Sequence, residues 1–244
     1  MERLKKVFKF LIYILISFLL MCAIVIFISY ISYQQTVTAK QGQMLISPVG
    51  PGELGKWVNP FIGTGGFPTY TSADDIPGVT LPFGMVRLSP DTEFFLGSLF
   101  GDEKTVSTAG YYYGDRRIMG FSHTRLIGTG AYDGGHFRVL PTSGENGLND
   151  YREGRYSKFS HSEEVAFPGY YAVRLPDHKV LAELTASERV GVHRYTFSGK
   201  EQSHILIDVS SALGKGKSTE GEVVINSEKQ EVVGTIRTFG WRIT

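Results

Sequence analysis

Between Ile118 and Phe137 the chain reads IMGFSHTRLIGTGAYDGGHF, which sets Ser122, His123, Arg125, Asp133 and His136 among five glycines. A hydroxyl, two imidazoles, a guanidinium and a carboxylate so close together admit three kinds of chemistry. A Ser-His-Asp hydrolase would need His123 to serve Ser122, but neighbours in an extended chain point to opposite sides. The stretch also has no G-x-S-x-G elbow around Ser122. A metal site built from His123, Asp133 and His136 has acceptable ligand types, although their spacing matches no fixed coordination motif. The third chemistry is a glycine-rich loop that places polar side chains beside a ligand, with Gly128, Gly130, Gly134 and Gly135 allowing close backbone approach. Against it stands a plain turn-rich loop whose histidines and aspartate satisfy only their own backbone. Spacing alone leaves these two open.

Two other stretches invite chemistry and lose it on inspection. Gly216-Lys217-Ser218 has the ending of a phosphate loop, but Ser211 stands where that motif needs its first glycine, and EGEVVINS beyond it reads as a strand. A solvated hairpin loop is the expectation there. Asp74-Asp75 could be an acid/base pair or half of a calcium site, and alone it reads as a turn before Pro77-Gly78.

The elements that must position these residues follow from composition. The 244 residues are 42% apolar and 13% aromatic, enough for a buried core. Arg3, Lys5, Lys6 and Lys9 face only Glu2 at the N-terminus, which leaves 21 basic against 23 acidic residues in the remainder. A near-neutral body without a basic cluster excludes nucleic acid as a partner class. Phe10 to Tyr33 is almost wholly apolar over 24 residues, against the ~20 a membrane-crossing helix needs. Residues 1–33 therefore read as a cytoplasmic basic flank and a retained signal-anchor transmembrane helix. The positive flank keeps its own side in the cytoplasm and puts the domain outside, in the periplasm or at the cell surface. Cleavage or acylation at Cys22 is the competing reading, disfavoured because Met21 is bulky and the apolar run continues past it. With Cys22 the only cysteine, the exported part holds no disulfide.

Residues 34–56, rich in Gln, Gly, Pro and Thr, read as a flexible linker without regular structure. From Trp57 the chain turns to short apolar or alternating runs: GMVRLS, FRVLP, YYAVRL, VLAELTAS, RVGVHRYTF, HILIDVS, GEVVINS and EVVGTIRTF. In the fifth run, Val190, Val192, Arg194 and Thr196 alternate with Gly191, His193, Tyr195 and Phe197, the period of a half-buried antiparallel strand. No segment outside the membrane shows sustained helical periodicity. The expected fold is mainly β, an antiparallel β-sandwich over residues 57–244 preceded by the single N-terminal transmembrane helix. EVVGTIRTFGWRIT stops inside a strand, so the chain reads as part of a longer polypeptide.

Several blocks carry a resemblance: WVNPFIGTGG (57–66), PGVTLPFGMVRLSPDT (77–92), GYYYGDRRIMGFSHTRLIGTG (110–130), FSHSEEVAFPGYYAV (159–173) and ELTASERVGVHRYTF (183–197). In order and content they resemble the N-terminal domain of glycoside hydrolase family 92. The resemblance implies a calcium-dependent exo-α-mannosidase that acts on mannose-containing glycans with inversion, built as an N-terminal β-sandwich followed by an α/α-toroid domain. It implies that the acid, the base and most calcium ligands lie in the toroid, so that this chain holds no catalytic residue and supplies one wall of the cleft. The positions matched to sugar contact are Tyr112, His123 and Asp133, with Asp91 of LSPDT as a further candidate. Three departures bear on specificity. FPTYTSADDI (67–76) replaces a histidine-rich loop; TVSTA (105–109) lacks the expected tryptophan and cysteine; Arg125 and His136 stand where the family has histidine and aspartate. Arg125 and His136 are therefore also expected to face sugar. Two further readings stand beside this one: a surface-tethered, non-catalytic carbohydrate-binding sandwich, and a structural sandwich with no ligand.

Overall fold

The structure, a computed structural model, describes residues 2–37, 52–65, 74–93, 107–144, 156–213 and 217–239. Helix α1 (Glu2–Val37) is continuous, and its stretch Lys5–Ile28 is long and apolar enough to cross a membrane, a property that leader sequences share. It runs past Tyr33 because Gln34 and Gln35 are good helix formers and nothing there breaks the backbone pattern. One helical turn, α2 (Gly52–Gly55), also falls where no regular structure was expected. The rest of that linker, 38–51, lies outside the described residues.

The remainder is antiparallel β-sandwich. The first sheet holds β1 (Val79–Thr80), β2 (Arg87–Thr92), β3 (Arg117–Ser122), β4 (Arg138–Ser143) and β10 (Ser203–Asp208) in that order, with β5 (Ser157–Lys158) paired to β3. The second is a meander of β6 (Glu164–Phe167), β7 (Tyr170–Leu175), β8 (Val180–Ala186) and β9 (Gly191–Phe197). A hairpin of β11 (Lys217–Asn226) and β12 (Glu231–Phe239) forms a separate ribbon. The expected hairpin loop at 211–218 is therefore a connection between sheets: β10 pairs with β4, and β11 with β12. Ser218 lies on a strand rather than opening a helix, while Gly216 lies outside the described residues.

Register decides which side chains share a face. Ser122 pairs with Arg138 and Arg138 with Asp208, while Asp91 pairs with Gly120, so all four polar residues lie on one face of the first sheet. Phe121 and His123 lie on the other face, against the second sheet, where the Phe121 ring meets those of His193 and Tyr195 at 6.3 Å each. Leu88, Phe121, Tyr171, Val173 and Leu184 are all at or below 1% exposure in this core. Each large apolar side chain so buried contributes roughly 1.5–3 kcal/mol.

One buried carboxylate ties the layers together. Glu164 accepts from the Tyr171 hydroxyl at 2.6 Å and from the Tyr111 hydroxyl at 3.0 Å, and its Oε2 is 2.6 Å from His161 Nδ1. His161 in turn stacks on Tyr113 at 3.9 Å. On the outer face of the second sheet Glu183 accepts from the Tyr170 hydroxyl at 2.7 Å and from Arg194 Nε at 2.6 Å. The ribbon differs: Val223, Val224 and Ile225 are consecutive and all exposed, so both of its faces are apolar and open.

Candidate functional site

The polar face of the first sheet is built around an ion pair. Arg125 Nη2 lies 2.7 Å from Asp91 Oδ2 and Nε lies 3.2 Å from Oδ1, with both side chains at 0% exposure. Ser122 Oγ donates to the same Oδ1 at 2.9 Å. Arg138 Nη1 stands 3.7 Å from Asp91 Oδ2 while its Nη2 reaches Asp208 at 3.3 Å. Two carboxylates and two guanidiniums thus alternate in a row across β10, β4, β2 and the loop that follows β3.

That row holds the glycine-rich loop from below. The remaining arm of Arg125 donates from Nη1 to the Gly134 carbonyl at 2.7 Å, and Ser211 Oγ donates to the Gly135 carbonyl at 3.1 Å. Gly135 has φ +63, and a Cβ there would sit 2.5 Å from Arg125 Nε. Only glycine lets the chain cross the flat guanidinium so closely. Gly128 N–H joins the loop to a neighbouring segment by donating to the Asp74 carbonyl at 2.7 Å, and two further segments join each other through Tyr113 N–H and the Thr64 carbonyl at 2.9 Å. Asp74 also accepts from the Thr108 hydroxyl. Asp74-Asp75 therefore acts as a junction between loops. The preceding loop from 66 to 73 lies outside the described residues, as do 105–106.

Each residue anticipated from sequence has a definite place. Asp91 and Arg125 are interior partners of each other, with no surface of their own to offer a ligand. Asp133 at 1% and Tyr112 at 6% exposure line the interior of the loop cluster. His136 is half-buried between Arg125 and Asp133; burial and then the Arg125 charge lower its pKa, against the pull of Asp133, so it is held neutral. Its Nδ1 is buried with no hydrogen-bond partner. Asp91, Arg125, Asp133 and His136 are thus one electrostatic neighbourhood, with Tyr112 attached through β2.

His123 goes elsewhere. Its Nε2 is 2.8 Å from Nε2 of His193 on β9, and His193 Nδ1 is 2.6 Å from the Tyr195 hydroxyl. The far face of His123 is covered by Phe137, ring to ring at 4.5 Å. A nitrogen-to-nitrogen hydrogen bond requires one ring to accept, and burial depresses both pKa values from 6.5 to about 4. Ser122 and His123 accordingly face opposite sides of the sheet, so no Ser-His pair forms. His123 also cannot converge with Asp133 and His136 on a cation. Among the described residues no three His, Cys, Asp or Glu side chains gather as a metal site.

His193, Arg138 and Asp208 complete these arrangements and were not singled out from sequence. The period-two pattern of β9 carried the signal for His193, because it puts that residue on the inner face with Tyr195 and Phe197. Nothing comparable marks Arg138 or Asp208, whose partners are set by register.

Residues 57–243 match the glycosyl hydrolase family 92 N-terminal domain. A family GH92 alpha-mannosidase from Bacteroides thetaiotaomicron, solved in complex with mannoimidazole, is similar at 35% identity and a TM-score of 0.57, covering 71% of this chain and 22% of that one. The GH92 family glycosyl hydrolase ccman5 is similar at 28% identity and a TM-score of 0.57, covering 77% of this chain and 24% of that one. This chain thus spans about a quarter or less of the length of those enzymes. No curated protein matches it.

Proposed function

This chain belongs to glycosyl hydrolase family 92, and from that premise we propose that it is the carbohydrate-contacting N-terminal sandwich of a membrane-anchored α-mannosidase acting on mannose-containing glycans. The observation that carries the reading is the loop cluster over Asp91 and Arg125: segments 61–65, 74–76, 107–115 and 124–137 meet there, within the residues that match the family's N-terminal domain. Tyr112 and half-buried His136 are the groups we assign to sugar, with Asp133, at 1% exposure, lining the wall behind them. Arg125 and Asp91 support that wall from within rather than touching sugar, and His123 supports it through His193.

Inverting hydrolysis needs one carboxylic acid to protonate the leaving oxygen and one carboxylate to activate water, ~6.5–9.5 Å apart. Asp91 cannot be either, since two guanidiniums engage it at 0% exposure. The acid, the base and the calcium ligands belong, in this reading, to polypeptide outside this chain. Helix α1, with Arg3, Lys5, Lys6 and Lys9 on the cytoplasmic side, anchors the sandwich outside the cytoplasm.

The test is an assay of the full chain on aryl α-mannosides with calcium, run beside a titration with methyl α-mannoside. Binding without turnover is expected. Turnover would show that the residues present suffice for catalysis and would overturn the division of labour.

A further inference from the structure

Asp115 is a buried carboxyl that the site above does not use. It is 2% exposed, at the end of the Tyr111-Tyr112-Tyr113 segment, and its backbone N–H donates to the Tyr112 carbonyl at 3.0 Å. Its Oδ2 lies 2.6 Å from Thr92 Oγ1, while Oδ1 is buried with no partner. The same Thr92 oxygen accepts the Tyr112 N–H at 2.9 Å and lies 3.5 Å from the Gly110 carbonyl.

The hydroxyl has a single hydrogen, and counting it distinguishes two states. With Asp115 ionised, that hydrogen must go to Oδ2, the hydroxyl leaves Gly110, and Oδ1 remains a charged oxygen without a donor. With Asp115 protonated, the carboxyl donates to Thr92 Oγ1, and the hydroxyl hydrogen turns to Gly110 while still accepting from Tyr112. The neutral state satisfies more of these groups, and leaving a buried acceptor unpaired costs about 1–3 kcal/mol, more if it is charged.

We propose that Asp115 is a positioning residue for Tyr112: protonated, it locks the Thr92 hydroxyl that fixes the Tyr112 amide, and its ionisation loosens that turn. The charged groups facing it are Glu93, just past the end of β2, and Arg116 from its own segment, with Glu93 in turn held by Arg117 at 3.4 Å. Burial pushes the carboxyl up to about 7; the Thr92 hydrogen bond and Arg116 oppose the rise and Glu93 adds to it. The lock is closed below that pH and opens above it. Its consequence for ligand rests on the assignment of Tyr112 to sugar; the proton link from Asp115 to Tyr112 does not.

The experiment uses the full chain in detergent micelles, as wild type and as Asp115→Asn, whose amide can donate to Thr92 at every pH. The Tyr112 amide resonance of the wild type is expected to move with one midpoint near pH 7, and that of the variant to stay in place. Methyl α-mannoside should bind wild type roughly tenfold more weakly at pH 8 than at pH 6, the ratio of protonated fractions for a group titrating near 7, and the variant equally at both. An amide that ignores pH overturns the proposal, and mannoside binding that is pH-independent in wild type while the amide titrates overturns its consequence for ligand. If the amide titrates but mannoside binds at neither pH, the proton link is upheld and the sugar assignment fails.

Discussion

Arg125 and Asp91 meet through two hydrogen bonds, of 2.7 and 3.2 Å, with neither side chain exposed. A pair so far from water is strong evidence of architecture, because removing Asp91 strands the Arg125 charge and removing Arg125 leaves the buried carboxylate only Arg138, 3.7 Å away. Arg125→Met is expected to cost about 3–5 kcal/mol in urea unfolding. Asp91→Asn combined with it should cost less than the sum of the single changes, since no lone charge is left. Additive losses would argue that the two residues act separately.

Gly135 should be as sensitive as the arginine it crosses. Gly135→Ala adds a methyl 2.5 Å from Arg125 Nε at φ +63, combining a clash with a backbone conformation that costs roughly 1–2 kcal/mol for an L-residue. Gly128→Ala shares the positive φ but has nothing within 4 Å, so it isolates the backbone part. A thermal midpoint falling further for Gly135→Ala than for Gly128→Ala is the expected ranking.

The His123–His193 contact makes the sandwich acid-labile. Both rings titrate at about 4 in the folded protein against 6.5 ordinarily, so the unfolded chain takes up protons first as pH falls. Their contribution is intact above about pH 6.5, declines as pH drops from there and is lost at about pH 4. Unfolding midpoints measured at pH 7.5, 5.5 and 4.5 should fall more steeply for wild type than for the His123→Asn/His193→Asn double variant. Equal slopes would mean that the pair is not held neutral.

The proposed anchor has its own signature. A helix as apolar as Lys5–Ile28 is held in lipid by the hydrophobic effect rather than by charge. Full-length protein should stay in the membrane fraction through a high-salt wash, and release by salt would sink the assignment.

Much of the sandwich was legible because its strands are short runs rich in aromatic and β-branched residues between turn residues. YYAVRL and EVVGTIRTF coincide with β7 and β12 to the residue, and β9 keeps the predicted division of its faces. β3 was hidden inside the polar stretch IMGFSH because both of its faces are covered, one by the second sheet and one by the loops, which removes the alternation. GMVRLS was placed too early. Gly84 and Met85 give their N–H groups to Leu81 and Glu188, and pairing in β2 begins only at Arg87. At the site, the opposite aims of Ser122 and His123 followed from strand geometry, and the structure repeats them. The interior position of Arg125 did not follow from anything local, since a guanidinium turns inward only where a distant carboxylate waits for it, and Asp91 is 34 positions away.

The β11–β12 ribbon, with Val223, Val224 and Ile225 bare on both faces, sets a solubility limit. Two strands alone are only marginally stable in water, and flat apolar strands with open edges are templates for further strands. As the chain is concentrated with helix α1 held in lipid or detergent, association should therefore begin at this ribbon. A lysine at Ile225, its most exposed apolar side chain at 73%, is the change that would most directly raise the concentration the protein tolerates.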